Sequence, residues 1–454
     1  MDAEFLARVQ FALTAGFHFL YPPLSIGLSV MLVIFLGLAL KTKEEIYTTI
    51  SHFLIKVFAL SFAVGVATGV VMEFQFGMNW SNFSRFVGDI SSALLGAETM
   101  VAFFLESTFL AVLVFGWNRI SRLAHFVAAV LVSLGAHLSA IWILMLNSWM
   151  NTPTGHKIVD TGLGPKAEIA DFWQVAFNPS TLERISHTVL GAWLTGGFMV
   201  VSIAAYYLLK KQHFDVAKRM MKVSLCFTTV TLLLQAISAH DTAVGVAHHQ
   251  PAKLAAFEGL FETEPSTPMS LFGIVDEKNK TMKYEITVPS LLSFLVYMDF
   301  KTPVAGLDQF PQEDWPPVAP VYYSYRVMLQ MFAFMLLAVT AGIWLWRKGK
   351  QWDNPWILRY LAIAFIFPQL ANQAGWFSCE VGRQPWVVQG LLRRGDAFSK
   401  TVPASEMIIG ITMFSAIYIV LFVLFAYLLW EKIQHGPENK KFNEKTTEPQ
   451  PEAL

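Results

Sequence analysis

Residues 91–117 read SSALLGAETMVAFFLESTFLAVLVFGW, and this stretch decides the fold class. It exceeds the roughly 20 apolar residues that cross a bilayer as a helix, and it holds no Lys or Arg. Its only charged residues are Glu98 and Glu106. An ionisable group at bilayer depth costs about 2.5–3.5 kcal/mol on insertion scales, so acids kept there mark ion or proton routes. Along a helix the two are separated by about 12 Å of rise, a little over two turns, in a loose line on one side. A carboxyl relay has this form. The bland alternative is a pair of protonated acids that tie helices together.

The rest of the chain agrees with a membrane reading. Of 454 residues 54% are hydrophobic and 15% charged, and the mean hydropathy is +0.47. A water-soluble chain carries about a quarter charged residues. The formal net charge is +0, which gives no case for nucleic acid or an acidic partner. Cys226 and Cys379 make neither a disulfide framework nor a zinc site. The first ten residues, MDAEFLARVQ, lack the basic start of a cleaved signal, so the first span is expected to stay.

The pattern predicts an all-α integral membrane protein with about nine spans, near 12–40, 53–76, 93–117, 124–147, 185–209, 217–240, 322–346, 356–379 and 404–431. Pro22 and Pro23 predict a kink in the first. Lys and Arg cluster in alternate loops: Lys41 and Lys43; Arg119 and Arg122; Lys210, Lys211, Lys218, Arg219 and Lys222; Arg347, Lys348, Lys350 and Arg359; and in the tail Lys432, Lys440, Lys441 and Lys445. The positive-inside rule makes these cytoplasmic, with the N-terminus outside. One outer loop departs from the rule, carrying Arg383, Arg393, Arg394 and Lys400. Outer segments 148–184 and 241–321 are long, and loops of that length are usually functional. The first reads as irregular, and the tail after Gly436 reads as disordered.

Ligand-type side chains occur at span ends. His18, His187 and Met328 begin inward-running spans, and Glu380 ends an outward-running one. Glu98 falls in the same outer layer, with Glu106 deeper. A His and a Met on facing helices suit a six-coordinate, low-spin haem, whereas a single His or carboxylate leaves an axial position open. No CxxCH is present, which excludes c-type attachment. Arg326, Arg383 and the nearby tryptophans, Trp376 among them, suit haem propionates. Two rival classes use the same residues: a proton-coupled transporter built on Glu98, Glu106 and His137, and a b-type electron-transfer cytochrome without oxygen chemistry.

Seven strings carry a resemblance: RVQFALTAGFHFLYPPL (8–24), GVATGVVMEFQFGMNWS (65–81), MVAFFLEST (100–108), LSAIWIL (138–144), AKLAAFEG (252–259), VAPVYYSYRVM (318–328) and AGWFSCEVGRQPW (374–386). In order and over essentially the whole chain, they resemble subunit I of the cytochrome bd-type quinol oxidases. The resemblance implies that His187 and Met328 ligate a low-spin haem b. It implies that His18 and Glu380 each ligate one of two high-spin haems, one a haem b and the other haem d or a further haem b. Glu98 would sit beside the oxygen-reducing haem and Glu106 on the proton route towards it. Lys253 and Glu258 would serve quinol oxidation, and Arg326 and Arg383 would lie near haems. The implied organisation is 1–240 with helices one to six, 241–321 as an extracytoplasmic quinol loop of the short form, 322–432 with helices seven to nine, and 433–454 as a disordered cytoplasmic tail. The implied activity is quinol oxidation by dioxygen in a bacterial inner membrane, building a proton motive force without a pump. The implied partners are a second membrane subunit and a small single-span accessory subunit. Asn372 and Gln373 stand where some members carry an acid before AGWF, which leaves haem d open.

Overall fold

The computed structural model describes residues 2–117, 119–162, 164–347 and 352–438. Lys348, Lys350, Lys440, Lys441, Lys445 and most of the predicted tail lie outside them. The described chain is mostly helical. It begins with α1 (Ala3–His18), α2 (Pro22–Thr42), α3 (Glu45–Met78), the short α4 (Ser81–Phe86) and α5 (Gly88–Ala97). A π-helical segment, Glu98–Phe103, joins α5 to α6 (Phe104–Phe115), followed by α7 (Arg122–Asn151). A hairpin of β1 (His156–Asp160) and β2 (Pro165–Ile169), then α8 (Phe172–Ala176), leads to α9 (Thr181–Lys210) and α10 (Phe214–His249). Next come α11 (Pro251–Glu258), the hairpin of β3 (Met269–Asp276) and β4 (Thr281–Val288), and α12 (Leu291–Tyr297). The chain closes with α13 (Val318–Arg347), α14 (Pro355–Ala362), α15 (Ile366–Val381), β5 (Trp386–Val388), β6 (Leu392–Arg393), α16 (Arg394–Ala397) and α17 (Ala404–His435).

Eight stretches among the described residues are long and apolar enough to cross a membrane. The first is α1 with α2, bent at Phe19–Tyr21, immediately before Pro22 and Pro23. The predicted eighth span, 356–379, is two pieces instead. Pro368 has no N–H for the Ala364 carbonyl and its ring crowds that turn, so the helix breaks at Ile363–Phe365. Ser202 of α9 bridges the break, accepting from the Phe365 N–H at 3.0 Å and donating to the Leu361 carbonyl at 2.9 Å. The 148–184 segment is ordered into β1, β2 and α8, and α10 runs nine residues beyond the predicted limit of 240.

Small residues let α2 and α9 touch backbone to backbone. A Cβ at Gly27 would collide with the Ala192 carbonyl and the Gly196 backbone, and one at Gly196 with the backbone of Gly27 and Leu28. In a bilayer, where lipid competes with apolar side chains, such close approach is a main source of helix association. Ser29 of α2 donates to Ser133 of α7 at 3.0 Å across the adjoining seam. The cations of the anomalous loop each meet an acid: Arg383 pairs with Glu380, Arg393 with Asp314, Arg394 with Glu4 and Lys400 with Asp396.

Candidate functional site

Helix α15 is the common neighbour of the candidate ligands. Gln373 donates to the Gly16 carbonyl of α1 at 2.9 Å, and Gln369 to the Leu20 carbonyl at 2.9 Å, so His18 lies alongside. Asn372 donates to Thr195 of α9 at 2.9 Å. A Cβ at Gly375 would lie 2.9 Å from the Met328 Sδ of α13. The Trp376 ring meets Phe19 edge-on at 5.5 Å. Glu380 accepts from Asn147 of α7 at 3.0 Å and pairs with Arg383. From Gln373 to Glu380 the rise is only about 10 Å, so groups from four separate spans share one zone of the bundle.

Both candidate histidines have partners on Nδ1 that can leave the other ring nitrogen free. His18 Nδ1 is 3.0 Å from the Thr68 hydroxyl, whose own proton goes to the Val64 or Gly65 carbonyl. Nδ1 must therefore carry the hydrogen, which leaves the Nε2 lone pair free. His187 faces Gln235, 3.1 Å from its Nδ1, and the buried Oε1 of that amide has no partner among the described residues. Half a turn of the amide lets Oε1 accept from Nδ1–H and frees Nε2 in the same way. Beside these groups, Arg326 and Arg383 are buried, and each leaves Nε and Nη1 without a hydrogen-bond partner among the described residues. Unpaired buried guanidinium N–H groups call for an anion. Among the described residues no cluster of three or more His, Cys, Asp or Glu side chains is positioned to hold a bare metal ion. Single axial ligands flanked by anion-seeking arginines fit iron carried in a porphyrin.

Glu98 and Glu106 both face α7. Ser139 donates to Glu98 at 2.7 Å, and the buried Glu106 packs on Gly135, one turn away. Gly135 is required there, since a Cβ would stand 3.0 Å from the Ala102 carbonyl and the Glu106 backbone nitrogen. Glu98 opens the π-helical segment, a local rewinding that recurs at functional sites. Glu73 of α3 lies within charge-coupling range of Glu98, as does Glu106. Glu73 and Ser139 were not singled out from sequence, although Glu73 is itself an unpaired acid in an apolar run. His137 does not join them. It lies on another face of α7, where Trp193 donates to its Nε2 at 2.7 Å and its Nδ1 reaches the Ser133 carbonyl at 2.6 Å. Both ring nitrogens are used, which removes it from the transporter constellation.

Lys253 and Glu258 are not brought into one cavity. Lys253 is buried and donates to Asn151 at 2.8 Å and to Gln250 at 2.7 Å. Burial pushes its ammonium down to about 7; Arg184 and Arg383 press the same way, against Cys379 and Glu380. With Arg383, Gln384, Trp386 and Phe310 it lines a cavity of about 230 Å³. Glu258 points elsewhere, to a buried ion pair with Arg326, whose guanidinium lies 4.9 Å from the Tyr322 ring and 5.3 Å from the Tyr325 ring. Burial raises the Glu258 carboxyl above the ordinary range; Arg326 opposes the rise and Glu285 adds to it. Asn147, Asn151, Arg184 and Gln250, which complete the Lys253 and Glu380 surroundings, were also missed. Neutral amides carry no signal until the fold collects them.

These features define a multi-span helical membrane protein in which candidate ligand side chains and partly unsatisfied, buried arginines share one zone of the bundle. The model of the cytochrome bd terminal oxidase subunit I family matches residues 6–437, and the chain belongs to that family. It is 38% identical over 450 residues to cytochrome bd ubiquinol oxidase subunit 1 of Bacillus subtilis (strain 168), covering 97% of this chain and 95% of the relative. It is 32% identical over 503 residues to cytochrome bd-II ubiquinol oxidase subunit 1 of Escherichia coli (strain K12), covering 96% and 97%. The solved bd oxidase of Geobacillus thermodenitrificans contains a chain that superposes with a TM-score of 0.89 at 27% identity, covering 96% of this chain and 99% of that one. The protein is therefore a multi-pass bacterial membrane protein and a subunit of a terminal quinol oxidase, an oxidoreductase of respiratory electron transport. Family membership implies haem cofactors, a quinol substrate and a subunit II partner.

Proposed function

We propose that this chain carries all the haems of the oxidase and oxidises quinol at its outer face with protons for water drawn from the cytoplasm. The observation that carries the reading is the buried, partly unsatisfied Arg383 in contact with Glu380, with Arg326, likewise partly unsatisfied, on the same helix as Met328. In this reading His187 and Met328 hold low-spin haem b, while His18 and Glu380 each hold a high-spin haem, one b and one d or a further b. Bound there, the haems supply electron transfer from quinol to dioxygen. Trp376, Arg326 and Arg383 flank them, the arginines answering propionate charge.

The end of the bundle bearing α11 and the β3–β4 hairpin is assigned to the outside, with the Lys-rich loops and tail in the cytoplasm. Residues 1–240 and 322–432 then form the membrane part and 241–321 the outer quinol loop. Glu106 and Glu98, backed by Ser139 and Glu73, deliver protons from the inner side. On the outer side Glu258 and Lys253 receive or steer protons from quinol on opposite faces of α11. Opposite-side uptake and release separates charge without a pump. Subunit II, and a small accessory subunit, complete the proton entrance.

The test is a reduced-minus-oxidised spectrum with pyridine haemochrome analysis, joined to quinol-driven oxygen uptake. Low-spin and high-spin haem are both expected. Glu106→Gln should slow uptake about 100-fold with haem content unchanged, the scale of a lost proton-transfer group. Normal uptake by that variant would remove Glu106 from the route. Lys253 gives a pH signature. Its neutral amine, the form able to accept a proton, predominates above about 7. Quinol turnover should therefore rise with pH through that value, and Lys253→Met should abolish the rise. An unchanged pH profile would return Lys253 to a packing role.

A further inference from the structure

The β3–β4 hairpin contains an irregularity placed directly over the Glu258–Arg326 pair. Phe272 is paired with Ile286 and Ile274 with Lys283, so Gly273 alone opposes Tyr284 and Glu285. Tyr284 takes φ +50°, left-handed backbone that a non-glycine residue adopts only under constraint. Bulges of this kind re-aim a side chain and recur beside active sites. Here the re-aimed side chain is Glu285. A Cβ at Gly273 would lie 2.6 Å from the Met282 Cε, 3.3 Å from the Tyr322 Oη and 3.4 Å from the Glu285 Cγ, so the stem of the acid and the phenol flank the same glycine, with the Met282 methyl beside them.

Tyr322 lies under the Arg326 guanidinium, and its hydroxyl is 2.8 Å from that of Ser270. Glu258, Tyr322 and Ser270 are each no more than 2% exposed, whereas Glu285 is exposed. The hairpin is held in this place by α13: the Val275 N–H donates to Tyr323 Oη at 3.1 Å, and the Ala319 N–H to Glu277 at 2.8 Å.

We propose that Glu285, held at the exposed edge of the hairpin by the bulge opposite Gly273, carries protons from the buried Glu258 to the outer water. The inference rests on the quinol-oxidase reading above. In the step the O–H bond at the Glu258 carboxyl breaks and one forms at the Glu285 carboxylate, which then releases the proton to solvent. Nothing is oxidised or reduced. Glu258 returns to the carboxylate paired with Arg326, ready for the next proton. The charged and titratable groups facing the route are Glu258 from α11, Arg326, Tyr322 and Tyr325 from α13, and the Asp276–Lys283 pair on the hairpin.

The test uses the complete oxidase with its partner subunit. Glu285→Gln should lower the maximal quinol-driven rate about tenfold with KM unchanged, and flatten the acid limb of the pH profile. Glu285→Asp should restore most of the rate, and Lys278→Gln at the turn of the same hairpin should change nothing. Oxygen uptake from a one-electron donor that releases no proton should be unaffected by Glu285→Gln. A parent rate and pH profile in Glu285→Gln would overturn the proposal, as would a loss that Asp does not rescue. Glu258→Gln separates the two levels. If it also turns over quinol like the parent, the quinol-loop reading itself fails; if it loses turnover while Glu285→Gln does not, only the exit route fails.

Discussion

Met328→Leu is expected to abolish the low-spin signal of the reduced oxidase while the high-spin bands persist. Leucine nearly matches methionine in volume and keeps the contact with Gly375, so the packing change alone costs less than about 1.5 kcal/mol. What it removes is the thioether lone pair, the only ligating atom Met328 offers. A leucine there could not hold a haem iron that Met328 would hold, and the potential-raising effect of a Met ligand would be lost. Quinol-driven oxygen uptake should fall by about 100-fold or more, because electrons must enter through this site. The measurement is an optical spectrum with and without carbon monoxide. An intact low-spin signal would reassign the ligand.

Arg326→Met should be strongly destabilising where α13 packs on α11. It leaves Glu258, 1% exposed, with a buried carboxylate and no countercharge. Breaking a buried pair from one side costs about 3–5 kcal/mol, whereas replacing both partners by apolar groups is often neutral. The double variant Arg326→Met with Glu258→Leu should therefore recover thermal stability without recovering quinol turnover. Thermal unfolding followed by haem absorbance, alongside oxygen uptake, reads both quantities. Recovery of turnover in the double variant would exclude the pair from quinol chemistry.

The membrane architecture was legible because apolar runs of span length have few alternative readings. Pro22 and Pro23 announced the bend of the first span. Pro368 carried equal information for 356–379, but it lay inside a run apolar enough to be read through. The π-helical segment at Glu98 has no counterpart in sequence, since it arises where α7 docks. The ligands could be ordered by depth once topology was assigned, yet what gathers them, the amides of α15, is chemically quiet. Lys253 and Glu258 were grouped because they share a short motif. Five residues on a helix turn about 140°, so they face apart, and that part was readable from spacing alone. The bulge at Glu285 depends on strand register, which no local pattern discloses.

The glycine contact of α2 with α9 has a metrological consequence. His18 precedes Gly27 by the same nine residues by which His187 precedes Gly196, and the two helices run in the same direction from that contact. One fixed point thus serves as the zero of two rulers, each ending in an imidazole. An inserted residue between His187 and Gly196 would displace that histidine by about 1.5 Å along the α9 axis and about 100° around it, whereas His18 is reached from Gly27 across the bend at Phe19–Tyr21. The spacing of the two imidazoles is thereby referred to a pair of hydrogen atoms where side chains are missing.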